Sequence, residues 1–373
     1  MKQSLRLGRV AGVPVGVHWS VLVIAVLIGV SLGSVVLPEA VPGRPAALYA
    51  VTAAVTAVLF LGSLLAHELA HALVARWRGL EVRSITLWLL GGVAELEDEA
   101  PTPRHELETA AAGPLTSLAC AVLSFAAAVL LPGPDLAVAA LTWLALMNAL
   151  LGVFNLLPGA PLDGGRVLHA LVWRATRSRA KADRAAAIGG QTLGWALIAF
   201  GVVEIFVLSW TGGLWMLLIG WFLVGAARSE LVAATARHGL GGVPVREVMT
   251  APPEVAPAWL TVAAFAARTA LHSHQTAFVV IDFEGRPIGY VSLDALAALP
   301  PGFRGTTRIS DLARPVPPEN VVGPDEEASI LLTKRPLPGQ VVAFVADGGH
   351  VVGLVTAADL GRMLRQAMLR QAA

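Results

Sequence analysis

Within the apolar run Leu64-Leu65-Ala66-His67-Glu68-Leu69-Ala70-His71-Ala72-Leu73, two histidines stand four apart with a glutamate beside the first. On a helix, residues four apart share a face, so His67 and His71 can hold one metal ion while Glu68 points at a water beside it. The surrounding stretch is apolar enough to span a bilayer, where an ionisable group costs roughly 2.5–3.5 kcal/mol at a helix centre and usually marks a site or pathway. Two histidines need a third ligand from elsewhere in the chain. Asp163 is the candidate, in the stretch Asn155-Leu156-Leu157-Pro158-Gly159-Ala160-Pro161-Leu162-Asp163-Gly164-Gly165-Arg166. Here Pro158, Pro161 and the glycine pair are expected to break the helix and turn the carboxylate inward. His71 lies seven residues before Arg78, or ~10 Å along a helix, and Asp163 just precedes a basic flank, so both parts should reach a similar depth.

The elements that must position these groups are membrane helices. Of 373 residues, 55% are hydrophobic and 14% charged, where soluble domains carry about 25% charged residues. The mean hydropathy is +0.68. At about 20 apolar residues per crossing, six spans fall near 17–37, 48–75, 108–131, 136–157, 186–208 and 213–232. The first run is too long for the apolar core of a signal peptide and reads as a retained span. Basic residues precede span one (Lys2, Arg6, Arg9), follow span two (Arg76, Arg78, Arg83) and follow span four (Arg166, Arg174, Arg177, Arg179, Lys181, Arg184), which places both termini in the cytoplasm. The net charge of +1 argues neither for a nucleic-acid partner nor for an acidic substrate, and no direct nucleic-acid partner is expected. The single cysteine, Cys120, excludes an intrachain disulfide and a thiolate cluster.

Between spans two and three, Val82–Glu97 is too short and mixed for a crossing and suggests a strand hairpin dipping beside the site, shielded by protein or lining a wet cavity, with a surface amphipathic loop as the alternative. After the sixth span the composition becomes that of a soluble α/β unit, with a Gly-Gly linker at 241–242 and an internal repeat offset by 64 residues: Gly289-Tyr290-Val291-Ser292 matches Gly353-Leu354-Val355-Thr356. Each copy reads as a lead-in, a helix, two strands joined by a glycine turn, and a second helix. The chain thus divides into a six-span domain at 1–235, a linker at 236–243 and repeats at 244–303 and 304–373. The fold class is a polytopic α-helical membrane protein with a short membrane-associated β segment and a cytoplasmic α/β pair. The remaining histidines, His169 among them, lack ligand spacing and read as structural or solvated, while Glu106 and Glu108 would charge the start of span three.

The HELAH of the second span and the N-x-x-P-x-x-P-L-D-G-G stretch ending the fourth resemble, in order, spacing and side, the two signature motifs of the site-2 protease family of intramembrane zinc metalloproteases. The repeat resembles a pair of cystathionine-β-synthase (CBS) modules, as in the bacterial branch of that family. The resemblance implies that His67, His71 and Asp163 ligate one zinc ion and that Glu68 is the general base for its water. It also implies that Asn155 helps hold the substrate or its developing oxyanion. By the same resemblance the 82–97 segment would pair with an unwound substrate. The expected activity is hydrolysis of a peptide bond in or near a transmembrane segment of another membrane protein, of which anti-sigma and pro-sigma factors are the implied class. The expected location is the bacterial cell membrane.

CBS pairs often bind adenine nucleotides through a Gly-x-x-Ser/Thr-x-x-Asp motif. The second copy has Gly353, Thr356 and Asp359, whereas the first has Ala295 at the aspartate position. The resemblance therefore implies a nucleotide site at Thr356 and Asp359, weighed equally against a pair used for packing or homodimerisation. The competing reading is a nonenzymatic CBS-regulated transporter or channel whose buried polar residues line an ion path, with an inactive protease homologue as a third. A transport path needs no HExxH with a third carboxylate, which sets the first reading ahead.

Overall fold

The computed structural model describes residues 5–10, 12–80, 82–88, 91–96, 100–130, 133–207 and 209–372. It divides into two compact units, Met1–Leu231 and Val232–Ala373.

Among the described residues, six helices are long and apolar enough to cross a membrane, the sixth running past the end of the first unit. The first is Ser20–Ala40, built from α1 (Ser20–Ser31), a π-helical turn at Leu32–Val36 and α2 (Leu37–Ala40). The others are α3 (Ala46–Trp77), α4 (Pro103–Leu130), α5 (Asp135–Asn155), α7 (Arg179–Val207) and α8 (Trp210–Leu240), with the amphipathic α6 (Asp163–Thr176) between α5 and α7. These match the six expected spans. Large apolar side chains such as Leu22, Leu123 and Phe206 face outward, as a hydrocarbon solvent permits.

Without a hydrophobic driving force between helices in lipid, close packing falls to small residues. Gly194 and Gly201 of α7 face Gly220 and Gly213 of α8, and a Cβ on any of the four would meet the opposing glycine's carbonyl oxygen at 2.5–2.8 Å.

Residues 5–17 differ from expectation. Beyond flanking the first span with positive charge, they form a hairpin of β1 (Leu5–Val10) and β2 (Val13–Val17). β2 runs parallel to β3 (Val82–Trp88), which pairs antiparallel with β4 (Gly91–Leu96), giving the order β1-β2-β3-β4. The expected strand pair is thus present, with Leu89, Leu90 and Glu97 lying outside the described residues. Val13 and Ile85 are fully buried against Ala72 of α3, with Leu69 beside them. The sheet therefore rests on the helix that carries both histidines.

α8 continues helically through most of the expected linker, because Leu240 is fully buried in the second unit's core with Val245 and Val248. Gly242, at φ +72°, makes the turn that follows, a conformation glycine adopts without steric cost. The first repeat contains β5 (Val255–Pro257), α9 (Val262–Phe265), β6 (Ala277–Ile281), β7 (Pro287–Ser292) and α10 (Leu293–Ala298). The second contains α11 (Ile309–Leu312), β8 (Val321–Val322), β9 (Val341–Asp347), β10 (His350–Thr356) and α12 (Ala357–Ala372). Each sheet has three strands, the first parallel to the second and the second antiparallel to the third. The leading strands β5 and β8 were not expected; at three and two residues they are too short to show alternation. The lead-ins cross over: Thr250 bridges Leu354 and Arg314 bridges Tyr290, the same pairing displaced by the repeat. Tyr290, Phe344 and Leu354 pack together between the two sheets.

Candidate metal centre

His67 and His71 occupy one face of α3, both buried, with their Nε2 atoms 3.2 Å apart. Asp163 completes a triangle, its Oδ2 lying 3.2 Å from His67 Nε2 and 3.3 Å from His71 Nε2. A tetrahedral ion with ligand bonds of about 2.0 Å holds its ligands about 3.3 Å apart, so three donors of this type and spacing fit zinc. The space is also kept clear. A Cβ on Gly113 of α4 would lie 2.6 Å from His67 Nε2 and closer still to His71 Nε2, inside the volume an ion would need.

The same helix fixes both rings from behind. His67 Nδ1 lies 2.9 Å from Ser117 Oγ and His71 Nδ1 lies 2.7 Å from the Thr109 carbonyl oxygen. A carbonyl accepts only, so Nδ1 of His71 carries a proton, and its Nε2, facing the triangle, would offer its lone pair to an ion held there. Such partners fix tautomer and ring direction in histidine metal sites.

The loop carrying Asp163 departs from expectation in one respect. α5 ends at Asn155 and Pro158 and Pro161 occupy the break, but Gly164 and Gly165 lie in the first turn of α6. They do not break the helix; they let backbone approach backbone. A Cβ on Gly165 would meet Ala160 N at 2.5 Å, and one on Gly164 would strike the backbone of Leu156 and Leu157. Gly189 and Gly190 of α7 lie likewise against Pro158 and Ala160, whose N–H donates to the Ala186 carbonyl at 3.0 Å. This double packing holds Asp163 at the first position of α6, where Leu162 provides no side-chain cap.

Glu68 follows His67 on α3 and is half-buried. Asn155 closes α5, also half-buried; among the described residues no hydrogen bond joins it to the triangle. In the second unit, Thr356 and Asp359 are together, but in a helix cap. The Asp359 carboxylate accepts from Thr356 N at 2.9 Å, Thr356 Oγ1 at 2.7 Å, Thr250 Oγ1 at 3.3 Å and Arg362 Nη2 at 2.6 Å. Thr356 Oγ1 in turn accepts from Asp359 N at 3.3 Å, a reciprocal capping box opening α12. In the first repeat Ser292 caps α10 through Ala295 N, 3.2 Å away, and Ala295 has nothing to return.

Residue spacing missed Gly113, Ser117 and Thr109; the Gly113-Pro114 pair inside an apolar helix was the one visible signal. It also gave His169 no role, yet both its ring nitrogens meet carboxylates. Nδ1 lies 2.8 Å from Glu106 Oε2 and Nε2 3.3 Å from Asp183 Oδ1. Burial disfavours its charge, but the hydrogen bonds it donates to Asp183 and Glu106 outweigh that and hold its pKa up at about 9. Glu108 instead pairs with Arg104 at 2.9 Å and with Arg78.

A profile of peptidase family M50 matches residues 55–137 and 135–200. Rip3 of Mycobacterium tuberculosis, provisionally designated a zinc metalloprotease, is 43% identical over 375 residues, covering 100% of this chain and 95% of that protein. The solved site-2 protease from Methanocaldococcus jannaschii aligns with 61% of this chain and 94% of its own at 28% identity, with a TM-score of 0.42. The CBS domain of a bacterial CNNM/CorC family Mg2+ transporter, in complex with ATP, aligns with 37% of this chain and 97% of its own at 21% identity, with a TM-score of 0.31.

Proposed function

The chain belongs to peptidase family M50, a family of zinc metalloproteases, and from that membership we propose that it hydrolyses a peptide bond in or near a transmembrane segment of another membrane protein. The observation that carries this reading is the near-equilateral triangle of His67, His71 and Asp163, cleared by Gly113, in a unit of membrane-length helices. His67, His71 and Asp163 would hold the zinc ion, which when bound would supply Lewis acidity to a water and to the scissile carbonyl. Glu68 is the group assigned to accept the proton of the attacking water and to pass it to the amide nitrogen as the C–N bond breaks. Asn155 offers an amide donor for the developing oxyanion.

A helical substrate exposes no free carbonyl, so it must unwind. β4 is the outer strand of its sheet, and we assign to its free edge the pairing of the opened segment. Stiffer residues in place of Gly91 and Gly92 should slow cleavage of helical substrates; unchanged cleavage would count against this role. The expected substrate class is a single-span regulator such as an anti-sigma or pro-sigma factor, in the bacterial cell membrane, with both termini of the protease cytoplasmic.

The repeat pair is assigned a regulatory role. The capping geometry of Asp359 favours packing or homodimerisation over nucleotide sensing, because a ribose at Thr356 and Asp359 would compete with bonds already made. Adenine nucleotide that changes cleavage rate, with loss of that response in Asp359→Ala, would restore the sensing role. The test of the main reading is cleavage of a panel of single-span substrates reconstituted with purified protein. Wild type should cleave and Glu68→Gln, with its zinc retained, should not; cleavage by Glu68→Gln at the wild-type rate would remove Glu68 from the mechanism.

A further inference from the structure

We infer that His169 is a positioning residue for the metal centre: as an imidazolium held between Glu106 and Asp183, it ties the helix that supplies Asp163 to the helix that orients both histidine ligands. The connectivity is explicit. α4 carries Ser117 and Thr109, which contact the far nitrogens of His67 and His71, and it also carries Glu106. α6 begins with Asp163 and carries His169 six residues later, just under two turns along. α7 carries Asp183, one turn before the Ala186 carbonyl that anchors the Asp163 loop. One ring therefore joins three helices that together set the positions of all three candidate ligands.

The ring's two contacts require the charged form. A neutral imidazole has one N–H and one lone pair, so with carboxylate oxygens at both nitrogens it would aim that lone pair at a negative charge. Protonated, it donates at both ends. The three side chains are only 12–20% exposed, so the attraction is weakly screened compared with a surface pair. Glu106 from α4 and Asp183 from α7 are the ionisable groups in contact with the ring among the described residues; on α6 itself its neighbour is the ring of Trp173, 6.1 Å away. The raised pKa of His169 agrees with that charge at neutral pH.

This inference rests on the zinc reading of the site, and its test separates the two. Full-length protein in detergent is loaded with zinc, and affinity is measured by competition with a chromophoric chelator for wild type, His169→Gln, Glu106→Gln, Asp183→Asn and His169→Arg. Cobalt is used in parallel as a spectroscopic reporter of ligand geometry. Partners that orient metal ligands typically contribute 10–100-fold in affinity, so His169→Gln should lose about tenfold and alter the visible cobalt spectrum, with smaller losses in the two carboxylate variants. His169→Arg, which keeps a charge with several donors, should recover part of the loss. Wild-type affinity and an unchanged cobalt spectrum in His169→Gln would overturn the inference. Should that variant fail to fold, unchanged affinity in both Glu106→Gln and Asp183→Asn would overturn it equally. Wild type that takes up no zinc would overturn the metal reading itself.

Discussion

Asp163 and Asp359 both lie in the first turn of a helix, and they are put to opposite uses. Asp163, at the first position of α6, reaches away from its own helix to two histidines nearly a hundred residues earlier in the chain. Asp359, in α12, turns back on its own helix and spends its oxygens on Thr356, Thr250 and Arg362. The difference lies in the neighbours. Thr356 stands three residues before Asp359, the spacing at which a hydroxyl and a carboxylate cap each other. Before Asp163 stands Leu162, which has nothing to offer, and after it two glycines that let the loop close on itself. A carboxylate with no local partner is available for a distant one; the same group beside a threonine is consumed locally.

The sharpest way to break this contrast is to delete both. Asp163→Ala should lower zinc affinity by at least about 100-fold by removing one of three ligands, read by metal competition. Asp359→Ala should leave zinc affinity unchanged. Zinc loss of similar size in both variants would mean that the carboxylates are not functionally distinct.

Gly113→Ala tests the cleared space with a single methyl group. It should lose roughly 10–100-fold in zinc affinity, and Ser117→Ala about tenfold, because one blocks the ion's position and the other frees a ring that must be oriented. Equal affinity in Gly113→Ala would show that the space between the imidazoles is not where the ion sits.

A smaller effect should appear in pH dependence. His169 has a folded-state pKa of about 9 against an ordinary value of about 6.5. A group raised in this way contributes stability that is fully present below its ordinary pKa and lost as pH rises through its folded value. The melting temperature advantage of wild type over His169→Gln should therefore shrink between about pH 6.5 and 9.5, while His169→Arg should show no such decline. An advantage that grows with pH would contradict the sign. The smallest expected effect is the cap itself: Asp359→Ala should cost about 1–2 kcal/mol by chemical unfolding.

The helices and the triangle were legible in the sequence for one reason: each depends on a strong, short-range pattern. Twenty-odd apolar residues announce a span, and HExxH announces a shared helical face. Asp163 was expected as the third ligand because its motif precedes a basic flank, as the HExxH does, and the three residues lie together in the fold. What the sequence concealed depends on contacts distant along the chain. The β1–β2 hairpin finds its parallel partner only at residues 85–87, after two membrane spans have intervened. Gly164 and Gly165 looked like helix breakers because glycine's usual role is conformational; here they serve closeness, visible only once Leu157 and Ala160 are placed against them. His169 looked idle for the same reason, its partners Glu106 and Asp183 lying on two other helices. The Gly353-x-x-Thr356-x-x-Asp359 pattern was readable, but the capping box that Thr356 and Asp359 form was not expected from it.

His67, His71 and Asp163 are proposed to hold the zinc ion beside which Glu68 acts. The most direct measurement is zinc K-edge absorption together with metal content, on purified wild type, Glu68→Gln and Asp163→Ala. The first two should hold about one zinc per chain, ligated by nitrogen and oxygen at about 2.0–2.2 Å, and Asp163→Ala should lose it. Zinc retained in Asp163→Ala with an unchanged absorption spectrum, or no zinc in metal-replete wild type, would contradict that assignment.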